Sequence, residues 1–127
     1  MHSYDPQKIR VEVSSEFVPD QSDMEHQRFV FAYHVTIKNH GDTAAQLVSR
    51  HWVITDGNER IQEVRGEGVI GEQPMIPPGE HFEYTSGAVL ETPVGSMHGS
   101  YQMVDANGES FHTPIPVFTL ASPNALN

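Results

Sequence analysis

An antiparallel β-sandwich of seven to eight strands is the fold this sequence predicts, and three observations predict it. Apolar residues recur at every second position in most segments, the period of a strand with one face on a core and the other in water. Turn residues and Gly/Pro clusters separate those segments at short intervals. No segment shows a sustained helical period. The chain has 127 residues, 37% of them hydrophobic. A domain of that size buries roughly two-thirds of its unfolded surface and folds without covalent staples. Cys is absent, which excludes disulfides, thiolate catalysis and Cys-based metal sites.

Each element follows in order. Ile9, Val11 and Val13 alternate with Lys8, Arg10, Glu12 and Ser14, a strand with one wet face. The polar stretch Pro19–Gln27 reads as a loop. Phe29, Phe31, Tyr33, Val35 and Ile37 then fall on one face of the clearest strand, opposite Val30, Ala32, His34, Thr36 and Lys38. Asn39–Asp42 supplies a turn. A third strand runs near Ala45–Thr55, and Asp56-Gly57-Asn58 signals a hairpin into Arg60–Arg65. Pro77-Pro78-Gly79 suits a type II turn with Gly79 at positive φ. Phe82 and Tyr84 open another strand, broken at Thr92–Gly95. Met97–Val104 is the next, and Asp105–Gly108 turns it into a last strand, Ser110–Leu120. Pro114 and Pro116 lack ladder donors and argue for an edge or a bulge there. The tail Ala121–Asn127 is expected to fray. The spacing gives the sandwich an immunoglobulin or fibronectin type III character. One domain is expected over residues 1–127, with its core at about 8–120.

Seven Lys and Arg stand against 17 Asp and Glu, a net charge of −10. That field repels phosphate backbones and anionic lipid, and the seven cations are scattered, so neither nucleic acid nor membrane is an expected partner. Met1–Arg10 holds no apolar stretch of a secretion signal, and a cytoplasmic location is expected.

The sharpest motif is Gly66-Glu67-Gly68-Val69-Ile70-Gly71, a literal G-x-G-x-x-G. In a dinucleotide fold that pattern opens a helix whose N-terminus holds a pyrophosphate. Pro74, Pro77 and Pro78 follow too closely for a helix, and Glu67 and Glu72 add repulsion. The competing reading is a glycine-bearing strand and bulge, though a nest of backbone N–H groups there would still suit an anion. Gly66, Gly68, Gly71, Glu72 and Gln73 are therefore candidate anion- or partner-binding residues. Arg50 and His51 join them: alternation puts Arg50 with Trp52 on one face and Ser49 with His51 on the other. A third-strand Trp belongs in a sandwich core. Leu47 and Val53 then fall on the opposite face, which calls for a strand covered on both sides. The eight His show no ligand spacing, and surface imidazoles explain them. Carboxylates of the Pro19–Gln27 loop are conceivable oxygen ligands for a divalent cation, and solvation explains them equally. No G-x-S-x-G elbow or P-loop lysine occurs, so no catalytic residue, metal site or cofactor is expected.

Taken together, Arg28–Tyr33, Gln46–Asp56, Gly66–Pro74, Pro78–Glu80, Tyr84–Gly87, Met97–Tyr101 and Ile115–Phe118 resemble the bacterial ApaG family. The resemblance covers about Lys8–Leu120. It implies a fibronectin type III-like sandwich and an association with cobalt resistance and magnesium efflux. It also implies a gene neighbourhood shared with a diadenosine-tetraphosphate hydrolase, and protein-recognition domains of similar kind elsewhere. It supplies no catalytic residue.

The expected function is that of a non-enzymatic protein-interaction module linked to divalent-cation homeostasis, with an unidentified protein partner and a monomeric or weakly homo-oligomeric state. The alternative is a nucleotide- or pyrophosphate-binding protein or weak phosphohydrolase of dinucleoside polyphosphate metabolism.

Overall fold

The computed structural model describes residues 8–123. Eight strands follow in order: β1 (Ile9–Phe17), β2 (Phe29–Asn39), β3 (Ala45–Asp56), β4 (Ile61–Glu67), β5 (Met75–Ile76), β6 (His81–Leu90), β7 (Val94–Asp105) and β8 (Ser110–Ala121). They pair antiparallel into two sheets, β1-β2-β6 and β4-β3-β7-β8, with β5 added to β3. This is the immunoglobulin or fibronectin type III-like sandwich expected from the alternation.

The core forms where the inner faces of the two sheets meet. Phe31, Tyr33, Val35 and Ile37 from β2 face Leu47 and Trp52 from β3 and Met97, Tyr101 and Met103 from β7, all at 6% exposure or less. Trp52 sits at the centre of an aromatic group, with ring centroids 5.3 Å from Tyr33, 5.9 Å from Phe118 and 6.4 Å from Tyr101. Edge-to-face pairs of this kind add about 0.5–1.5 kcal/mol each beyond burial.

The difficulty over Leu47 and Trp52 is resolved by a bulge. The β3–β7 register slips between Leu47 and Ser49, leaving Val48 without a partner on β7. One extra residue inverts the alternation. Leu47 before it and Arg50, Trp52 and Ile54 after it therefore all lie on the core side, and a strand covered on both faces is not needed. Val53 turns outward.

The hairpin after β3 is longer than its Asp-Gly pair suggests. Asp56 Oδ1 accepts from the Asn58 and Arg60 amides, and Glu59 takes the left-handed position at φ 65°. The β7–β8 turn repeats this geometry around Asp105, with Gly108 at φ 80°. The type II turn is present: Gly79 has φ 80° and the Glu80 amide donates to Pro77 O. Two single-turn 3-10 helices, Pro19–Gln21 and Met24–His26, occupy the segment read as a loop.

β8 is an edge strand and also bulged. Pro116 and Val117 fall at the register shift between Met97 and Gly99 of β7. The tail differs from expectation. Ala121 still pairs with Val94, and the Ser122 amide, buried, donates to Pro93 O. Fraying of residues 124–127 lies outside the described range.

Candidate functional site

Outward residues of β3, β4, β7 and β8 line up in rows across the five-stranded sheet. Cross-strand register brings His51 opposite Arg65 and Ser100, and Ser49 opposite Glu67 and Gln102. Gln102 in turn faces His112. These side chains line an open concavity of about 570 Å³ together with Arg50 and Gly66. Its floor is a hydrogen-bonded chain. Ser49 Oγ donates to Gln102 Oε1 at 2.8 Å, and Gln102 Nε2 donates to Ser100 Oγ at 2.8 Å. His51 Nε2 lies 2.8 Å from Glu63 Oε1, and Arg65 Nη2 lies 3.6 Å from the same oxygen. The floor itself needs Gly99, because a Cβ there would stand 1.9 Å from His51 O.

Arg50 follows Trp52 to the core side, as alternation indicated, and its head reaches the strand edge. Nη1 donates to Glu67 O at 3.1 Å and to Gly68 O at 2.8 Å. Its charge also faces three buried phenols. Burial pushes the hydroxyls of Tyr33, Tyr84 and Tyr101 above the ordinary tyrosine range, and Arg50 opposes each shift. Tyr84 Oη and Tyr101 Oη hydrogen-bond to one another.

Backbone needs account for the glycine stretch. A Cβ on Gly66 would lie 2.9 Å from the Arg50 guanidinium. Gly68 has φ 64°, and a Cβ there would lie 2.3 Å from Glu72 O. Gly71 has φ 80° and Ile70 φ 44°. Val69 and Glu72 exchange both backbone hydrogen bonds, so Val69-Ile70-Gly71-Glu72 is a type I′ turn. Beyond it the chain runs extended into β5, and no helix begins at Gly71. The Gly68 amide donates to Val48 O, and the Val69 and Glu72 amides to each other's carbonyls. Three donors that an anion nest would use are thus already taken. Gln73 Nε2 donates to Val48 O and its carbonyl accepts from Gln46 Nε2, so this segment is stitched to the bulge.

Of the residues singled out from sequence, Arg50, His51 and Gly66 share the concavity. Gly71, Glu72 and Gln73 lie beyond it, on the same edge of β3. Ser49, Arg65, Ser100, Gln102 and His112 escaped sequence reasoning, because register across strands and not spacing along the chain assembles them. Among the described residues, no three His, Asp or Glu gather as a metal-holding group. Among those residues, too, no helix is long and apolar enough to cross a membrane.

Residues 19–105 match the family model of the ApaG domain. A protein of Aromatoleum aromaticum named Protein ApaG is 60% identical over 120 residues, covering 94% of each chain. Its namesake in Dechloromonas aromatica is 57% identical over 125 residues, covering 97% of this chain and 98% of its own. A crystal structure of a Bordetella pertussis protein described as ApaA superposes with a TM-score of 0.89 at 55% identity, covering 92% of this chain and 95% of that one. The strand pattern, the glycine turn and these relatives agree, and the chain belongs to the ApaG family.

Proposed function

We propose that this chain is a non-enzymatic protein-recognition module. It presents the outer face of its five-stranded sheet, with the glycine turn on the adjoining edge, to a protein partner. The observation that carries this reading is the open concavity lined by Ser49, His51, Arg65, Ser100, Gln102 and His112. A rigid ladder mounts these side chains, which lowers the ordering cost of docking. Nucleophilic catalysis would need a hydroxyl within reach of a base. Here the two serine hydroxyls engage Gln102, and the His51 ring engages Glu63. Enclosure, which concentrates electrostatics around a reacting group, is lacking in this open groove. On this reading, any link to cobalt or magnesium handling runs through the partner.

The test is quantitative affinity capture from native extract at low salt. Three baits are compared: wild type, His51→Ala/Arg65→Glu/His112→Ala, and Glu12→Lys on the other sheet. The expected partner is retained by the first and third baits and lost by the second. Equal recovery on all three would refute the assignment. Calorimetric titration with dinucleoside tetraphosphate, ATP and pyrophosphate, with and without magnesium, should be silent at millimolar ligand. A measured heat of binding would replace this reading with the nucleotide one.

A further inference from the structure

We infer that Ile70 is the apolar anchor of this recognition surface, and that it seats in an aliphatic cleft rimmed by Lys or Arg on the protein partner. The inference rests on the recognition reading above and names what that surface grips.

Ile70 is the first central residue of the type I′ turn, at φ 44°. That position wants Asn, Asp or Gly. A β-branched residue at positive φ is an outlier, because Cβ crowds the following carbonyl oxygen. Such strain persists where surrounding structure enforces it, and it clusters at functional sites. Core packing does not ask for this side chain. Val69, its neighbour, carries the core contact at 1% exposure, while Ile70 is 55% exposed. The chain thus keeps an aliphatic side chain in water at a backbone position that disfavours it.

The mounting is rigid. Paired Val69–Glu72 hydrogen bonds, the Gly68 amide on Val48 O and the Arg50 bonds to Glu67 O and Gly68 O fix the turn. A preordered apolar knob is what a binding hot spot needs. Exposed Glu67 and Glu72 flank the turn, so a complementary rim is basic. The net charge of −10 steers the same kind of partner. It also repels anionic lipid, and one isoleucine buries too little to hold a membrane against that. A second copy offers only seven scattered cations, a poor match for the rim.

Benzoylphenylalanine placed at position 70, and in separate chains at 72 and 65, reads the contact by photo-crosslinking in cells. The expected result is adducts at 70 and 72 with one protein, mapped to aliphatic residues beside Lys or Arg. Ile70→Asn should then melt no lower than wild type, and purified partner should bind it at least about tenfold more weakly. Adducts at 65 alone would overturn the anchor and leave the sheet face as the recognition surface. Adducts at no position would overturn both. An adduct of twice the chain's mass, or an Ile70→Asn chain that melts well below wild type, would also overturn the anchor.

Discussion

An alanine at position 66 would place a methyl group 2.9 Å from the Cζ, Nη1 and Nη2 atoms of Arg50, its three closest neighbours. Two effects compete. Gly→Ala at a compatible backbone position stabilises by about 0.4–1 kcal/mol, through the unfolded chain. Against that, the guanidinium must swing aside and release the carbonyls of Glu67 and Gly68. Bonds from a charged donor contribute roughly 1.5–3 kcal/mol each, and Arg50 is half-buried, so the lower end applies. Gly66→Ala alone should therefore cost about 2–2.6 kcal/mol, and Arg50→Ala alone about 3 kcal/mol. In the Arg50→Ala background the clash is gone, and Gly66→Ala should turn neutral or stabilising. The coupling is then about 3 kcal/mol, well above the roughly 0.3–0.5 kcal/mol scatter of independent sites. Urea unfolding followed by fluorescence reads it directly, because the single Trp is Trp52, 3% exposed in the fold. An equal cost of Gly66→Ala with and without Arg50 would refute the reasoning. The glycine would then have some other reason to be there, and a bound ligand would regain its place as the explanation.

Gly99→Ala should be the most damaging small substitution, because a methyl 1.9 Å from His51 O forces the β3–β7 ladder apart. A loss of at least about 3 kcal/mol is expected in the same urea assay, and a loss under about 1 kcal/mol would contradict the close approach. The two matching hairpins should respond with opposite signs. Gly108→Ala costs about 1 kcal/mol at φ 80°, whereas Glu59→Gly relieves the same conflict at φ 65° and is neutral or mildly stabilising; thermal melts of both variants decide. Hydrogen bonds from His34 and then His81 hold the Glu83 carboxyl below its ordinary value of 4.5. Its folded pKa being depressed, its stabilising contribution is present above about pH 4.5 and is lost as pH falls through the folded value. Carboxyl-carbon NMR should show the Glu83 midpoint rise in a His34→Asn/His81→Asn chain, and an unmoved midpoint would dismiss the pairing.

Most of the fold could be read along the chain, and each miss has a local cause. Alternation located β2 because Phe29, Phe31, Tyr33, Val35 and Ile37 recur at every second position on a strand without bulges. It misled on β3, since a single unpaired residue at Val48 inverts the period and nothing in the string Leu47-Val48-Ser49 announces it. The prolines of β8 did announce a defect, because a missing donor is a property of the residue itself. The end of β8 was read as loose because Ser122-Pro123 looks like a tail. Its anchor, the carbonyl of Pro93, comes from a segment far away in sequence.

The site was harder to read for a different reason. Most outward positions of a half-exposed strand are polar, so Ser49, Ser100 and Gln102 look like any solvated residue until register sets them side by side. The glycine stretch stood out, and two chemistries fit its pattern. Glycine marks a backbone demand and does not say whether the demand comes from a phosphate, a guanidinium or a tight turn. Here Arg50 accounts for Gly66, Glu72 O for Gly68 and the left-handed turn for Gly71. What those demands leave unexplained is Ile70, one position before a glycine that the turn requires. Of the non-glycine residues at positive φ, Ile70 alone among the described residues is β-branched, which makes it the sharpest conflict between local preference and fold. That conflict, and not the glycines, is the observation on which the proposed anchor rests.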